Sequence, residues 1–214
     1  MKKIKRKVPK IKNVIINYIS NNVKEFILIG ILFILGIFIG VIIINNCNES
    51  QGKEISTYIS EFINRFKNIE NLDRTSLIID SIKTNIIMAL IIWIAGTTVI
   101  GVPVVFTVIL YRGICLGYTI SAISYTLGSF KGSIFCIVSL CAQNILFIPA
   151  ILSLGVSSFK LYKSIIKDRR KENIKIEIIR HTVFSGLMLG VLILSSFIEN
   201  IISINLLQNL IKFF

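Results

Sequence analysis

The feature that most constrains the fold is a run of 47 residues between Lys83 and Lys131 in which Arg112 is the only charged side chain. An α-helix rises about 1.5 Å per residue, and the hydrocarbon core of a bilayer is about 30 Å thick. As a helix the run would be about 70 Å long, enough for two membrane spans and a tight turn. Only 16% of the chain is charged, against about 25% in soluble domains, so a soluble globular fold is excluded.

Three further stretches of the chain are uncharged and long enough to cross a membrane. Together with the 47-residue run they predict an all-α integral membrane protein with about five transmembrane helices, forming a single membrane domain. The predicted spans are 26–44, 84–110, 113–130, 132–156 and 182–198. The segments outside them are an N-terminus at 1–25, an outer loop at 45–83, a connector at 157–181 and a tail at 199–214.

The charges predict the orientation of these spans. Residues 1–25 hold eight basic side chains and one acidic one, and residues 157–181 hold eight and three. Residues 45–83 are nearly neutral, with five basic and six acidic. The positive-inside rule therefore places the N-terminus in the cytoplasm and the C-terminus outside. Attraction to anionic lipids explains the basic blocks, whereas nucleic acid is not an expected partner because no aromatic or glycine-rich RNA-binding signature accompanies them.

An amphipathic helix is predicted within the outer loop, at residues 54–72. Its apolar side chains recur with a helical period and share one face. They are Ile55, Tyr58, Ile59, Phe62, Ile63, Phe66 and Ile69. Such a helix either lies on the bilayer, binds a partner or packs on the bundle, and Phe62 and Phe66 are the candidate partner contacts.

Glycine pairs four residues apart occur at four places: Gly36/Gly40, Gly113/Gly117, Gly128/Gly132 and Gly186/Gly190. Membrane helices associate by close backbone approach, which glycine permits. The pairs predict tight packing within the bundle, and they leave a homo-oligomer open.

Arg112 has two alternative placements. A turn at Gly101–Pro103 would bury it in the bilayer, at a cost of at least about 2.5–3.5 kcal/mol unless it is partnered. A turn at Tyr111–Gly113 would place it at the cytoplasmic edge, with the second span kinked at Pro103. The second placement accords with the positive-inside rule and is the one we expect.

Two adjacent amides, Gln143 and Asn144, interrupt the fourth span one turn before Pro149. Amides in hydrocarbon need hydrogen-bond partners, and Pro149 removes the usual donor to the carbonyl of Ile145. We expect interhelical hydrogen bonds from these amides, and a site for a polar ligand is the alternative.

Catalytic groups are not evident. The predicted spans contain no Asp or Glu, His181 is the single histidine, and the four cysteines are scattered. These residues form no metal, cofactor or protease motif, so we expect neither a metal nor a cofactor and predict that the chain is not an enzyme.

Two segments resemble a known family. YRGICLGYTISA and QNILFIPA are similar to the basic-Gly-x-x-x-Gly-aromatic segment and the polar-dipeptide-then-proline segment of the stage II sporulation protein M family. Wider relatives have a His-Gly pair and then an acidic residue before the proline, where this chain has Gln143, Asn144 and Phe147.

The resemblance implies a role in endospore formation, in the cell membrane of the asymmetric septum and later of the engulfing cell. It implies a non-catalytic anchor that assembles two peptidoglycan-degrading partners. The alternative function is a small permease or membrane subunit of a transport system, with Arg112, Gln143 and Asn144 along its path.

Overall fold

In the computed structural model, the described residues are 11–67, 74–98, 100–167 and 171–203. Some side chains within the helices, among them those of Phe66 and Gln143, lie outside the described part. All regular structure in these ranges is helical, which confirms the predicted all-α class. The helices are α1 (Ile11–Asn21), α2 (Val23–Asn45), α3 (Glu49–Lys67), α4 (Arg74–Gly96), α5 (Val102–Leu127), α6 (Ser129–Lys167) and α7 (Lys171–Ile198), which continues into a π-helix at Glu199–Ser203.

Five of these helices are long and apolar enough to cross a membrane, as predicted. The candidate spans lie on α2, α4, α5 and α6 and on α7 with its π-helical continuation. Their fully buried side chains meet in one core, to which each of the five helices contributes: Ile29, Ile92, Ile109, Ile151, Leu154 and Leu192. The protein is therefore a multi-pass membrane protein built around a single helical core.

Contacts at the helix ends define two ends of the bundle. At the basic end, Lys163 pairs with Glu25 across 2.8 Å, and Trp93 Nε1 donates a hydrogen bond to Thr182 Oγ1. At the α3 end, Ile63 of α3 packs with Ile123 and Phe135 of α5 and α6. The exposed cations of the basic end predict its cytoplasmic location, which would place α3 outside the cell.

The expected turn at Tyr111–Gly113 is wrong. Helix α5 runs unbroken through these residues, and the second and third spans are connected between Gly96, where α4 ends, and Val102, where α5 begins. Pro103 lies in the first turn of α5, where its missing N–H is not needed, so it starts a helix and does not kink one. Position 101, at the N-cap of α5, requires a glycine because a Cβ there would overlap the backbone of Ala95.

Other boundaries also differ from those expected. The fourth and fifth spans belong to longer helices, and the predicted connector at 157–181 is mostly the end of α6 and the start of α7. The amphipathic helix begins earlier than expected, at Glu49. Charge marked the ends of the hydrophobic stretches, but backbone hydrogen bonding continues a helix through charged residues at a membrane surface.

Helices α2 and α5 run parallel and approach each other closely along two glycine pairs. The Cα of Gly36 is 3.0 Å from the position that a Cβ of Gly113 would take. A Cβ on Gly117 would lie 2.8 Å from the carbonyl carbon of Ile37. Two of the four predicted glycine pairs therefore pack together, whereas a Cβ on Gly186 or Gly190 would meet nothing within 4 Å.

We expect Gly117→Ala to destabilise the bundle and Gly186→Ala to leave it unchanged or slightly more stable. The added methyl at 117 must push α2 away, and overpacking of this kind costs about 1–3 kcal/mol. The methyl at 186 has open space and improves helix propensity. Unfolding of both variants in detergent, followed by circular dichroism, checks this. Equal stability of the two variants would contradict the contact.

Candidate functional site: a polar crevice at mid-bundle

A crevice of about 200 Å³ lies between α2, α5, α6 and the π-helix. Its walls combine charged, amide and hydroxyl groups with aromatic rings inside an otherwise apolar bundle. The lining residues are Phe33, Arg112, Cys115, Leu116, Thr119, Leu140, Asn144, Phe147 and Glu199. Because four separate segments contribute to it, the crevice depends on the whole bundle and on no single motif.

Arg112 projects into this crevice from the middle of α5. It is ten residues from the start of the helix, about 15 Å along its axis. Its guanidinium lies 4.1 Å from the ring centre of Phe147, a cation–π contact. Its Nε is buried and has no hydrogen-bond partner among the residues that the structure describes. Arg112 therefore lies within the span, as in the first sequence alternative, with an aromatic ring as one of its neighbours.

Glu199 supplies a negative charge to the same crevice, and the sequence analysis missed it. The opposite charges of Glu199 and Arg112 attract each other. Glu199 was assigned to the outer tail because the uncharged run ends at Ile198, but α7 continues as a π-helix and carries the carboxylate inward. The expectation that the spans lack acidic residues is therefore wrong, since the fifth candidate span extends to Ile201.

Hydrogen bonds from α4 hold Glu199 in place. Ser81 Oγ donates to Glu199 Oε2 across 2.8 Å and lies 3.1 Å from Ser196 Oγ. Asn85, buried on the same helix, donates from Nδ2 to Ser196 Oγ across 2.8 Å. The carboxylate is thus hydrogen-bonded to α4 and also lines the crevice.

The polar residues of the fourth span are only partly as predicted. Asn144 lines the crevice, but its Nδ2 donates to the carbonyl of Leu140 on its own helix, 2.8 Å away. The expected interhelical hydrogen bond from this amide group is therefore replaced by one within α6. The side chain of Gln143 lies outside the described residues, and Pro149 lies inside an unbroken α6.

An apolar groove of about 470 Å³ adjoins the crevice at the α3 end. It lies between α3 on one side and α5 and α6 on the other, and Thr119 lines both spaces. Its other lining residues are Glu54, Ile55, Tyr58, Ile59, Phe62, Tyr118, Ala122, Ile123 and Phe135. The apolar side chains of α3 differ in exposure. Ile63 is buried against the bundle, whereas Tyr58 is 70% exposed and Phe62 is 38% exposed.

A second polar cluster occupies the basic end. His181 Nδ1 and Ser157 Oγ are hydrogen-bonded across 2.8 Å, and the histidine is 2% exposed. Gly96 makes room for it, since a Cβ there would lie 2.8 Å from His181 Nε2. No group of three or more His, Cys, Asp or Glu that could hold a metal occurs among the residues that the structure describes.

Comparisons with known proteins bear on this architecture. The family model described as Stage II sporulation protein M matches residues 29–204, which include all five candidate spans except the first six residues of the first one. The chain belongs to that family. Searches among curated proteins and among solved structures found no match.

In this member of the stage II sporulation protein M family, the Phe147 ring lies under the guanidinium of Arg112. The carboxylate that lines the same crevice comes from Glu199.

We expect Arg112→Leu and Glu199→Leu each to destabilise the protein, and the double variant to be more stable than the sum of these losses predicts. Removal of one charge leaves the other buried without compensation, which costs about 3–5 kcal/mol in dry sites and less where water enters. A double-mutant cycle measured by unfolding in detergent checks this. Additive losses would show that the two charges do not interact.

Proposed function

We propose that this member of the stage II sporulation protein M family is a non-catalytic membrane scaffold that assembles peptidoglycan-degrading enzymes during endospore formation. Family membership supports a sporulation membrane protein. The partner enzymes, the septal and engulfing-membrane location and the absence of catalysis are parts of the proposal. The observation that carries it is the exposed edge of α3, where Tyr58 and Phe62 stand on the end opposite the basic one.

The shape of the α3 end suits a docking surface. Ile63 anchors α3 to Ile123 and Phe135, so the helix is held firmly while its Tyr58 edge remains open. Large aromatic side chains on a rigid support are the residues that contribute most to protein interfaces. The positive-inside rule places this edge outside the cell membrane, in the compartment that contains the wall.

The basic end supports an anchoring role. Lys24, Lys160, Lys163 and Lys175 lie at or near this end of the helices. Each basic residue near a negatively charged leaflet contributes about 1 kcal/mol of attraction. We propose that anionic lipids of the inner leaflet bind this end and anchor the protein, so that the partner enzymes bound at the α3 end remain at the membrane.

The test of the scaffold is co-purification from sporulating cells. We expect Phe62→Asp, and likewise Phe66→Asp, to abolish recovery of wall hydrolases with the protein, because a charge cannot enter an aromatic contact. The matched control is Ser60→Asp, which adds the same charge on an exposed part of the same helix. Hydrolases recovered with the Phe62 and Phe66 variants would exclude this docking edge.

A transport role is the second candidate, because Arg112 and Asn144 line one crevice. Intramembrane charges often mark substrate paths. Reconstituted vesicles distinguish the two functions. We expect no flux of ions or small metabolites from vesicles containing the wild-type protein, whereas engulfment should fail in cells carrying Phe62→Asp. Flux that disappears in an Arg112→Leu variant would favour transport.

A further inference from the structure

The crevice and the apolar groove are adjoining spaces of opposite character. Arg112 and Glu199 give the crevice of about 200 Å³ a guanidinium and a carboxyl group. The groove of about 470 Å³ is walled mostly by apolar side chains. Thr119 lines both spaces, so their walls meet on α5. A polar space that shares a wall with an apolar one of more than twice its volume has the composition of a site for an amphiphile.

The charges restrict the headgroup that such an amphiphile can carry. Arg112 lines the crevice, and within the described ranges no atom accepts a hydrogen bond from its Nε–H. Glu199 has one oxygen engaged by Ser81, and it faces the arginine across the crevice. A simple anion would be repelled by Glu199, and a simple cation by Arg112. A headgroup that carries both charges meets both with complementary groups.

We propose that the crevice and the groove together bind one phospholipid whose headgroup contains a phosphate and a protonated amine. A phosphate oxygen accepts hydrogen bonds from the guanidinium of Arg112, and the amine donates to Glu199. An acyl chain occupies the groove beside Ile59 and Ala122. Arginine suits the phosphate because its guanidinium is always charged and donates several N–H groups in one plane.

This lipid site goes beyond the proposed scaffold and does not require it. The docking edge consists of the outward part of Tyr58 and Phe62, whereas the lipid chain would lie beneath it, between α3 and the bundle. Bound lipid would fill the space under α3 and hold that helix against α5. Failure of the hydrolase co-purification would leave the lipid site untouched, and the reverse is also true.

The experiment is mass spectrometry of the full-length protein, purified in detergent after exposure to vesicles of equal parts phosphatidylethanolamine and phosphatidylglycerol. We expect the wild-type protein to retain one phosphatidylethanolamine in roughly tenfold preference, which corresponds to one well-formed charge contact. Glu199→Gln should abolish the preference while it keeps phospholipid bound. Arg112→Gln should lose both lipids, and Arg112→Lys should restore part of the retention.

The matched control is Lys83→Gln, which removes an exposed cation from α4. We expect it to leave both the amount of bound lipid and the lipid preference unchanged. Circular dichroism verifies folding of each variant. If Arg112→Gln does not fold, the change of preference in Glu199→Gln and the partial retention by Arg112→Lys decide the question. Equal retention of both lipids by the wild-type protein, or full retention by Arg112→Gln, would overturn the site.

A soluble competitor separates a lipid site from a site for a free phosphate compound. Phosphoethanolamine has the same two charges and no acyl chain. We expect it to displace the bound lipid only at concentrations at least roughly tenfold above those of a short-chain phosphatidylethanolamine, because it gains nothing from the groove. Thr119→Phe, which blocks the junction, should remove this difference. Equal potency of the two competitors on the wild-type protein would exclude the groove from the site.

Discussion

The close approach of α2 and α5 is the contact on which the remaining packing depends. Inside a bilayer, lipid tails are as apolar as leucine, so helices are held together by shape and not by exclusion of water. Gly36 and Gly113 let the two backbones meet directly. With these helices fixed, Phe33 of α2 and Arg112 of α5 reach the same space, and α6 closes it with Phe147. The crevice is thus a consequence of backbone contact.

Within that frame, the polar residues are arranged in order of depth. His181 and Ser157 pair at the basic end, and Arg112 lies in mid-bundle with its ring contact. Glu199 and Ser81 lie towards the α3 end. The groups around the crevice come from several helices, so Arg112 and Glu199 lie among aromatic and polar side chains of other segments. The arrangement explains how a largely apolar chain accommodates these two ionisable side chains at that depth.

The sequence was sufficient for the class, the number of spans and the family, because uncharged runs and basic blocks report directly on a bilayer. It was not sufficient for the position of the connection between α4 and α5. A proline within an apolar run is compatible with a kink or with a helix start, and only the packing of Gly101 against Ala95 distinguishes the two. The depth of Arg112 in the membrane could not be predicted for the same reason, because it depends on the position of this connection. Glu199 was missed because hydropathy marks only the end of the uncharged run at Ile198. The position of the carboxylate depends on the π-helical continuation of α7, which the sequence did not predict.

Helix α6 has a mechanical consequence. It runs unbroken for 39 residues, about 58 Å, which is nearly twice the thickness of the hydrocarbon core. Its first part supports α3 through Phe135, and its last part carries Lys163 at the basic end. Pro149 lies inside this helix and has no backbone N–H to donate, so the carbonyl of Ile145 lacks its usual intrahelical partner. One continuous helix thus connects the support of α3 to the ion pair at the basic end, and the two ends of the bundle are mechanically coupled through it.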